Sequence, residues 1–162
     1  MTRLVYFLRH GKAFSRADWD AADDLRPLTE EGEQVVRAEA RAMKRLGLDV
    51  GVIVTSQLAR ARRTAEIIGE ELDLSDRVLE DARLAHGFDL RRLAKIVARQ
   101  AGDAGVMVVG HEPEFNSTFS AAICGGRVEI KKGALARVDF VGADLRNGVL
   151  AWLVTPAQLA RK

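Results

Sequence analysis

The sequence predicts a three-layer α/β/α sandwich with a mostly parallel central sheet. Short apolar runs, which are typical of buried strands, alternate with longer amphipathic segments typical of helices. The chain has 162 residues, of which 48% are hydrophobic and 30% are charged, so it can bury the core of one ordinary domain. Because the sequence contains no linker and no internal repeat, we expect a single domain over residues 1–162.

The first half of the chain predicts two strands, each followed by a helix. Residues 4–8 and 50–54 are apolar runs that end at polar turns, as strands buried on both faces do. Thr29 is a good N-cap for the first helix because glutamates follow it in the first turn, and Gly47 is its expected stop. The apolar residues of this helix keep helical spacing at Val36, Ala40, Met43 and Leu46. The second helix carries apolar residues three and four positions apart, at Leu58, Ala61, Ala65, Ile68 and Leu72.

The second half predicts two further helices, one buried strand and a terminal hairpin. These elements are a helix over 89–101, a strand over 106–109, a helix over 115–123, and strands over 134–141 and 149–154. The last two strands flank a turn that runs from Asp144 to Gly148, which favours a hairpin. Because strands and helices alternate over most of the chain, we expect a largely parallel sheet with helices on both faces.

Two histidines and two arginines lie where a fold of this class binds ligands, beyond the carboxyl ends of the strands. His10 and His111 closely follow two predicted strands, Arg9 precedes His10, and Arg60 lies in the first turn of the second helix. A guanidinium presents a fixed fork of donors that suits phosphate oxygens. A neutral imidazole is a competent nucleophile toward phosphorus. Together these residue types indicate phosphoryl transfer that needs no metal.

Other common chemistries lack their sequence signals. The Walker phosphate loop, the Rossmann glycine fingerprint and the nucleophile elbow are all missing. A zinc-binding helix would need a second histidine four residues after His111, and that residue is Phe115. A metal site made of His10, His86 and His111 would lack the short-range ligand pairs of common zinc sites. We therefore expect no metal and no cofactor.

Composition points to a reducing compartment and argues against two classes of partner. Cys124 is the single cysteine, so it forms no internal disulfide, and we expect it to be a small buried hydrophobe. A cysteine-dependent phosphatase loop would need an arginine at Ile130. The net charge of +2 and the 6% aromatic content argue against nucleic acid as a partner. The amino-terminal apolar run is too short for a signal peptide or a membrane span, so we expect a cytoplasmic protein with no membrane partner.

Four short motifs, spread over most of the chain, carry a family resemblance. They are Leu8-Arg9-His10-Gly11, the sequence RPLTEEG at 26–32, the sequence SQLARARRTA at 56–65, and Gly110-His111-Glu112-Pro113. In this order they resemble the signature of the histidine phosphatase superfamily, the phosphoglycerate-mutase-like proteins. The short length, the R-P-L-T sequence and Lys132-Gly133-Ala134 are most similar to the SixA-type phosphohistidine phosphatase branch. The resemblance implies a compact phosphoglycerate-mutase-like fold.

The resemblance also implies a role for each candidate site residue. His10 would be the phosphoryl acceptor, and Arg9, Arg60 and His111 would complete the phosphate pocket, with His111 protonated against the dianion. Larger members of the family use a glutamate as general acid, and His86 stands where that glutamate is expected. We place His86 among the substrate-binding residues. The nearby carboxylic acids that could replace the glutamate are Glu80 and Asp81.

The expected function is therefore a metal-independent phosphatase that works through a phosphohistidine intermediate. The expected substrate is phosphohistidine in a partner protein. A phosphatase of a small phosphorylated metabolite or nucleotide, using the same pocket, is the alternative within enzymes. A catalytically silent phosphate-binding adaptor module is the alternative outside enzymes.

Overall fold

Six strands form one sheet in the computed structural model, which describes residues 2–100, 102–142 and 145–159. The strands are β1 (Thr2–Arg9), β2 (Val50–Thr55), β3 (Val78–Glu80), β4 (Gly105–Gly110), β5 (Leu135–Val141) and β6 (Val149–Val154). Their order across the sheet is β3-β2-β4-β1-β5-β6. The first four in this order are parallel, and β5 is antiparallel to both of its neighbours. The predicted mostly parallel sheet is confirmed.

Helices cover both faces of this sheet. They are α1 (Glu30–Arg45), α2 (Ala59–Glu71), α3 (Leu90–Ala98), α4 (Glu114–Ala122) and α5 (Pro156–Leu159). Successive side chains of β1 point to opposite faces, so Val5 and Phe7 pack in one core cluster with α3 and α4. Tyr6 and Leu8 pack in a second cluster with α1, α2 and α5. The three-layer α/β/α sandwich is confirmed.

Most predicted elements occur at or near their expected positions. The first long helix begins at its predicted cap, because the Thr29 hydroxyl accepts from the Gly32 amide (3.0 Å). Leu58, the first residue of the predicted second helix, is the N-cap of α2 in the structure. The pairing of β5 with β6 confirms the terminal hairpin. Two predicted positions, Ala101 in the third helix and Asp144 in the hairpin turn, lie outside the described residues.

Three features differ from the prediction. The edge strand β3 was not expected, because it has only three residues, and Leu79 and Glu80 within it are exposed. Leu46 is 64% exposed, since α1 ends at Arg45 and Leu46 lies at the C-cap, past the buried stripe. Cys124 is also exposed, and its thiol donates to Asn147 Oδ1 (3.3 Å), so the expectation of a buried cysteine was wrong.

No helix in the described part of the chain combines the length and the apolar character needed to span a membrane.

Candidate active site

The candidate site lies at the carboxyl edge of the three central parallel strands. β1 and β4 end side by side, with Arg9 paired to Gly110, and the His10 amide donates to the Gly110 carbonyl (3.1 Å). His10 and His111 are therefore the first residues beyond two neighbouring strands. Each is buried, with 4% and 5% of its surface exposed. The sheet topology thus brings together two residues, His10 and His111, that are 101 positions apart in sequence.

His10 is held in the tautomer that a nucleophile requires. Its Nδ1 lies 2.7 Å from the Gly11 carbonyl oxygen. Because a carbonyl oxygen can only accept, Nδ1 carries the proton and Nε2 keeps its lone pair. Burial, together with the positive charges of Arg60 and Arg9, lowers the pKa of His10 to about 3, against the opposing effect of the Gly11 hydrogen bond. The imidazole is therefore neutral at physiological pH.

Arg9 and Arg60 are each anchored at one end of the guanidinium. Arg9 Nη1 donates to the Ile130 carbonyl (2.9 Å), while Arg60 donates from Nη1 to the Asp23 carbonyl (2.9 Å) and from Nη2 to the Asp23 carboxylate (3.0 Å). The Nε atoms of both arginines are buried and have no hydrogen-bond partner among the described residues. Since a buried donor without a partner is costly, both Nε–H groups are available to an anion in this pocket.

His111 repeats the arrangement of His10. Its Nδ1 lies 3.1 Å from the Glu112 carbonyl oxygen, and its Nε2 is buried without a partner in the described part of the chain. Burial lowers the pKa of His111, and Arg60 contributes in the same direction. His111 is therefore neutral in the ligand-free site. The protonated form that the family resemblance implies would need the negative charge of a bound phosphate.

Thr64 and Asp23 connect the parts of this site, and neither was identified from the sequence. The Thr64 hydroxyl accepts from the Gly11 amide (3.1 Å) and donates to the Arg60 carbonyl (2.7 Å), so it ties the turn after β1 to the first part of α2. Thr64 belongs to the third sequence motif, SQLARARRTA, and that motif is the signal that could have identified it. Asp23 begins a short 3-10 helix (Asp23–Leu25) between β1 and α1, 37 residues before Arg60, and carries no comparable signal.

The three residues considered for the general-acid position, Glu80, Asp81 and His86, differ in whether they lie near the candidate site. Asp81 accepts from Arg83 through both its backbone amide (2.9 Å) and its side chain (2.7 Å), and Glu80 lies 3.6 Å from Arg62. His86 lies beside the phosphate pocket, with its ring centroid 6.0 Å from that of His111. The structure therefore brings His86 close to His111. Glu80 and Asp81 instead form ion pairs with Arg62 and Arg83, which are not candidate site residues.

The described residues contain no group of three or more His, Cys, Asp or Glu side chains that could hold a metal ion. The alternative metal site made of all three histidines therefore has no geometric support in the described part of the chain.

Comparison with known proteins gives the family. Residues 5–86 match the model of the Histidine phosphatase superfamily (branch 1). The chain belongs to the histidine phosphatase superfamily. The matched region contains three of the four sequence motifs, and the fourth, Gly110-His111-Glu112-Pro113, follows β4 at the same edge of the sheet.

Individual relatives cover most of the chain. The phosphohistidine phosphatase SixA of Escherichia coli is 27% identical over 157 residues, which is 96% of this chain and 95% of that protein. An uncharacterized protein of Picosynechococcus is 40% identical over 124 residues, or 75% of this chain and 73% of that one. The solved structure of protein histidine phosphatase SixA complexed with tungstate aligns with a TM-score of 0.84 at 25% identity, covering 96% and 99% of the two chains. These similarities support a phosphatase activity.

Proposed function

We propose that this protein is a metal-independent phosphatase that dephosphorylates phosphohistidine in a partner protein through a phosphohistidine intermediate on His10. Four side-chain nitrogens support the proposal. His10 Nε2 carries a lone pair, and the side chains of Arg9, Arg60 and His111 are close enough to lower the pKa of His10. Each of the three has a buried nitrogen without a partner among the described residues: Arg9 Nε, Arg60 Nε and His111 Nε2. A nucleophile surrounded by unpartnered cationic or protonatable groups is what a phosphoryl group requires.

In the first step of the proposed mechanism, His10 Nε2 attacks phosphorus. The bond between phosphorus and the leaving nitrogen breaks, and the electron pair of that bond stays with the leaving imidazole. Arg9 and Arg60 neutralise charge on the equatorial phosphoryl oxygens in the transition state. In the second step, water attacks the phosphorus of phospho-His10, and the bond between phosphorus and His10 Nε2 breaks. Inorganic phosphate leaves, and the electron pair of that bond stays with the restored imidazole of His10.

The substrate class follows from the leaving group and from the relatives. The imidazole of phosphohistidine is readily protonated near neutral pH, so it departs with less help than an alkoxide does. His86 stands where larger members of the family have a glutamate, so preference for phosphohistidine over alkyl phosphates is expected. Similarity to a protein named phosphohistidine phosphatase over 96% of this chain agrees with this choice.

The test compares a radiolabelled, histidine-phosphorylated carrier protein with a panel of small phosphate esters, in the presence and absence of a metal chelator. We expect faster release of phosphate from the carrier protein, and no loss of activity with chelator. The trapped phosphoenzyme should be labile in acid and stable in alkali, as a phosphoramidate is. His10→Ala should abolish both label and turnover, whereas Cys124→Ser, at the exposed thiol, should retain both.

Each contrary outcome identifies a different error. Label on another residue in the wild-type protein would overturn the role of His10. Efficient turnover of alkyl phosphates would favour the small-metabolite phosphatase. Activity that chelator removes and zinc or magnesium restores would favour a metal enzyme. Binding of tungstate or phosphate without any turnover would indicate a silent phosphate-binding module.

A further inference from the structure

A turn that contains Lys132 lies against the end of β1, next to the proposed nucleophile. The Gly133 amide donates to the carbonyls of Arg9 (3.0 Å) and His10 (3.1 Å). The Arg9 guanidinium donates to the Ile130 carbonyl (2.9 Å). These hydrogen bonds hold the backbone on both sides of Lys132, so the fold determines where this lysine lies relative to the phosphate pocket.

The side chain of Lys132 lies among other cations. The residue is exposed, and its ammonium group makes no hydrogen bond or ion pair with another residue that the structure describes. Loss of part of its hydration lowers the pKa of Lys132, and so do the positive charges of four neighbouring residues, which are Arg9, Arg26, Lys12 and Arg60. Because the neighbouring charges are all positive, an anion brought to this ammonium group would be bound favourably.

The two neighbours of Lys132 that lie outside the phosphate pocket already have carboxylate partners. Arg26 Nε lies 2.9 Å from the Asp23 carboxylate, and Lys12 forms an ion pair with Glu31. The other two neighbours bind the phosphoryl group in the proposed mechanism. Lys132 therefore has neither a carboxylate partner among the described residues nor a part in the reaction at phosphorus.

We infer that Lys132 is a specificity-determining residue, which binds a carboxylate next to the phosphohistidine in the partner protein. The inference rests on the proposed function and deepens it, because it states the chemistry of the partner's surface. Since Lys132 is exposed and His10 is buried, the ammonium group meets the surface around the phosphohistidine. Aspartate and glutamate are the anionic side chains that a protein offers there. Lys132 makes and breaks no bond, so it acts on substrate binding.

The test uses three alanine-rich helical peptides, each with one phosphohistidine. Glutamate, glutamine or lysine occupies the positions four residues before and after it, on the same helix face. Wild-type protein should have the highest kcat/KM for the glutamate peptide and the lowest for the lysine peptide. Each step should be about twofold to fivefold, as expected for an exposed ion pair, and should shrink as salt is added. The differences should lie in KM, because an interaction made equally in the ground state and the transition state leaves kcat unchanged.

Variants of Lys132 should change the order of the three peptides. Lys132→Gln should nearly remove the preference for glutamate over glutamine, with kcat retained. Lys132→Glu should reverse the order, so that the lysine peptide becomes the best substrate. Lys131→Gln is the matched control, because Lys131 is the neighbouring exposed lysine and its substitution changes the net charge equally. This variant should keep the wild-type order.

Two aryl phosphates distinguish the source of the carboxylate. They are 4-carboxyphenyl phosphate and phenyl phosphate, and each is assayed with wild-type protein and with Lys132→Gln. A loss confined to the glutamate peptide would support a carboxylate of the partner protein. A loss confined to the carboxylated ester would assign the carboxylate to a small metabolite and overturn the inference.

The remaining outcomes separate this inference from the proposed function. Equal effects of Lys131→Gln and Lys132→Gln would show a general attraction to a basic surface and would overturn the role of Lys132. An effect of Lys132→Gln on kcat alone, or no preference among the peptides in wild-type protein, would also overturn it while the phosphoenzyme on His10 still forms. Absence of any phosphoenzyme on His10 with all substrates would instead overturn the proposed function.

Discussion

Each side chain of the candidate site uses some of its polar atoms to bind the protein and leaves another for the proposed substrate. Arg60 shows this most clearly, because Asp23 accepts from both terminal nitrogens and leaves Nε without a partner among the described residues. Although burial opposes it, the pKa of Asp23 is lowered by Arg26 and Arg60, so the carboxylate that orients Arg60 is ionised. A lysine at position 60 would have a single charged nitrogen both to bind Asp23 and to bind the proposed substrate.

Replacing Arg60 with alanine should therefore impair catalysis strongly. The change removes a charge-assisted contact worth about 1.5–3 kcal/mol, which corresponds to a loss of about tenfold to a hundredfold in kcat/KM. Arg63→Ala is the matched control, since Arg63 lies one turn along α2 and pairs with Glu33 (2.9 Å) outside the pocket. Steady-state kinetics on the phosphohistidine protein should show a near-neutral effect at Arg63. Equal losses at both positions would show that Arg60 does not contact the phosphoryl group.

These examples show what the sequence can and cannot predict about single residues. His10, His111, Arg9 and Arg60 adjoin strand ends, so the rule for ligand sites in parallel sheets identifies them. Asp23 begins a 3-10 helix of three residues, too short to show a periodic pattern, and its contact with Arg60 is a tertiary contact across 37 residues of sequence. No local pattern encodes such a contact.

At the level of elements, the start of α1 supports the turn that carries His10. The Thr29 amide donates to the Lys12 carbonyl (3.0 Å), two residues after His10. A Cβ at Gly32 would lie only 2.0 Å from the same carbonyl oxygen. The helix therefore approaches the turn backbone as closely as it does because residue 32 is a glycine.

Gly32→Ala should thus reduce both stability and activity. The added methyl group meets backbone rather than a flexible side chain, so either α1 or the turn at His10 must shift. Thr29→Ala is the matched control in the same helical turn: it removes the N-cap hydroxyl and should cost about 1 kcal/mol of stability, with little change in kcat. Urea denaturation and phosphatase kinetics on both variants measure the two effects. Unchanged kcat in a folded Gly32→Ala protein would show that the close approach is unimportant for the site.

The elements differ in how far their sequences determine them. Inner strands such as β4 have every residue buried and appear as apolar runs, while α1 combines an N-cap with a regular apolar stripe. β3 has no such pattern, because it is short, lies at the sheet edge and exposes two of its three residues. Its existence depends on pairing with β2, which is a tertiary contact.

On the scale of the whole molecule, one buried acid makes the free energy of unfolding depend on pH. Glu39 on α1 is fully buried, and both of its carboxylate oxygens lack hydrogen-bond partners among the described residues. A Cβ at Gly133 would lie 2.8 Å from Glu39 Oε1, and the Gly133 amide donates to the carbonyls of Arg9 (3.0 Å) and His10 (3.1 Å). This acid therefore lies beneath the segment that supports the active site. Burial raises the pKa of Glu39 from its ordinary value of 4.5 to about 8.

Glu39 should therefore make the protein less stable as the pH rises from 4.5 to 8. In this window the unfolded chain releases the proton and the folded protein retains it, so the free energy of unfolding falls by at most about 1.4 kcal/mol per pH unit. Glu39→Gln removes this titration, and any constant cost of the amide cancels when two pH values are compared. Between pH 5 and pH 8, the stability of the variant relative to wild type should rise by about 2–4 kcal/mol in urea denaturation. The exposed Glu30→Gln variant should show no such change. If the difference in stability between Glu39→Gln and wild type did not change with pH, the folded protein would ionise Glu39 as readily as the unfolded chain does. Water would then reach the Glu39 carboxylate.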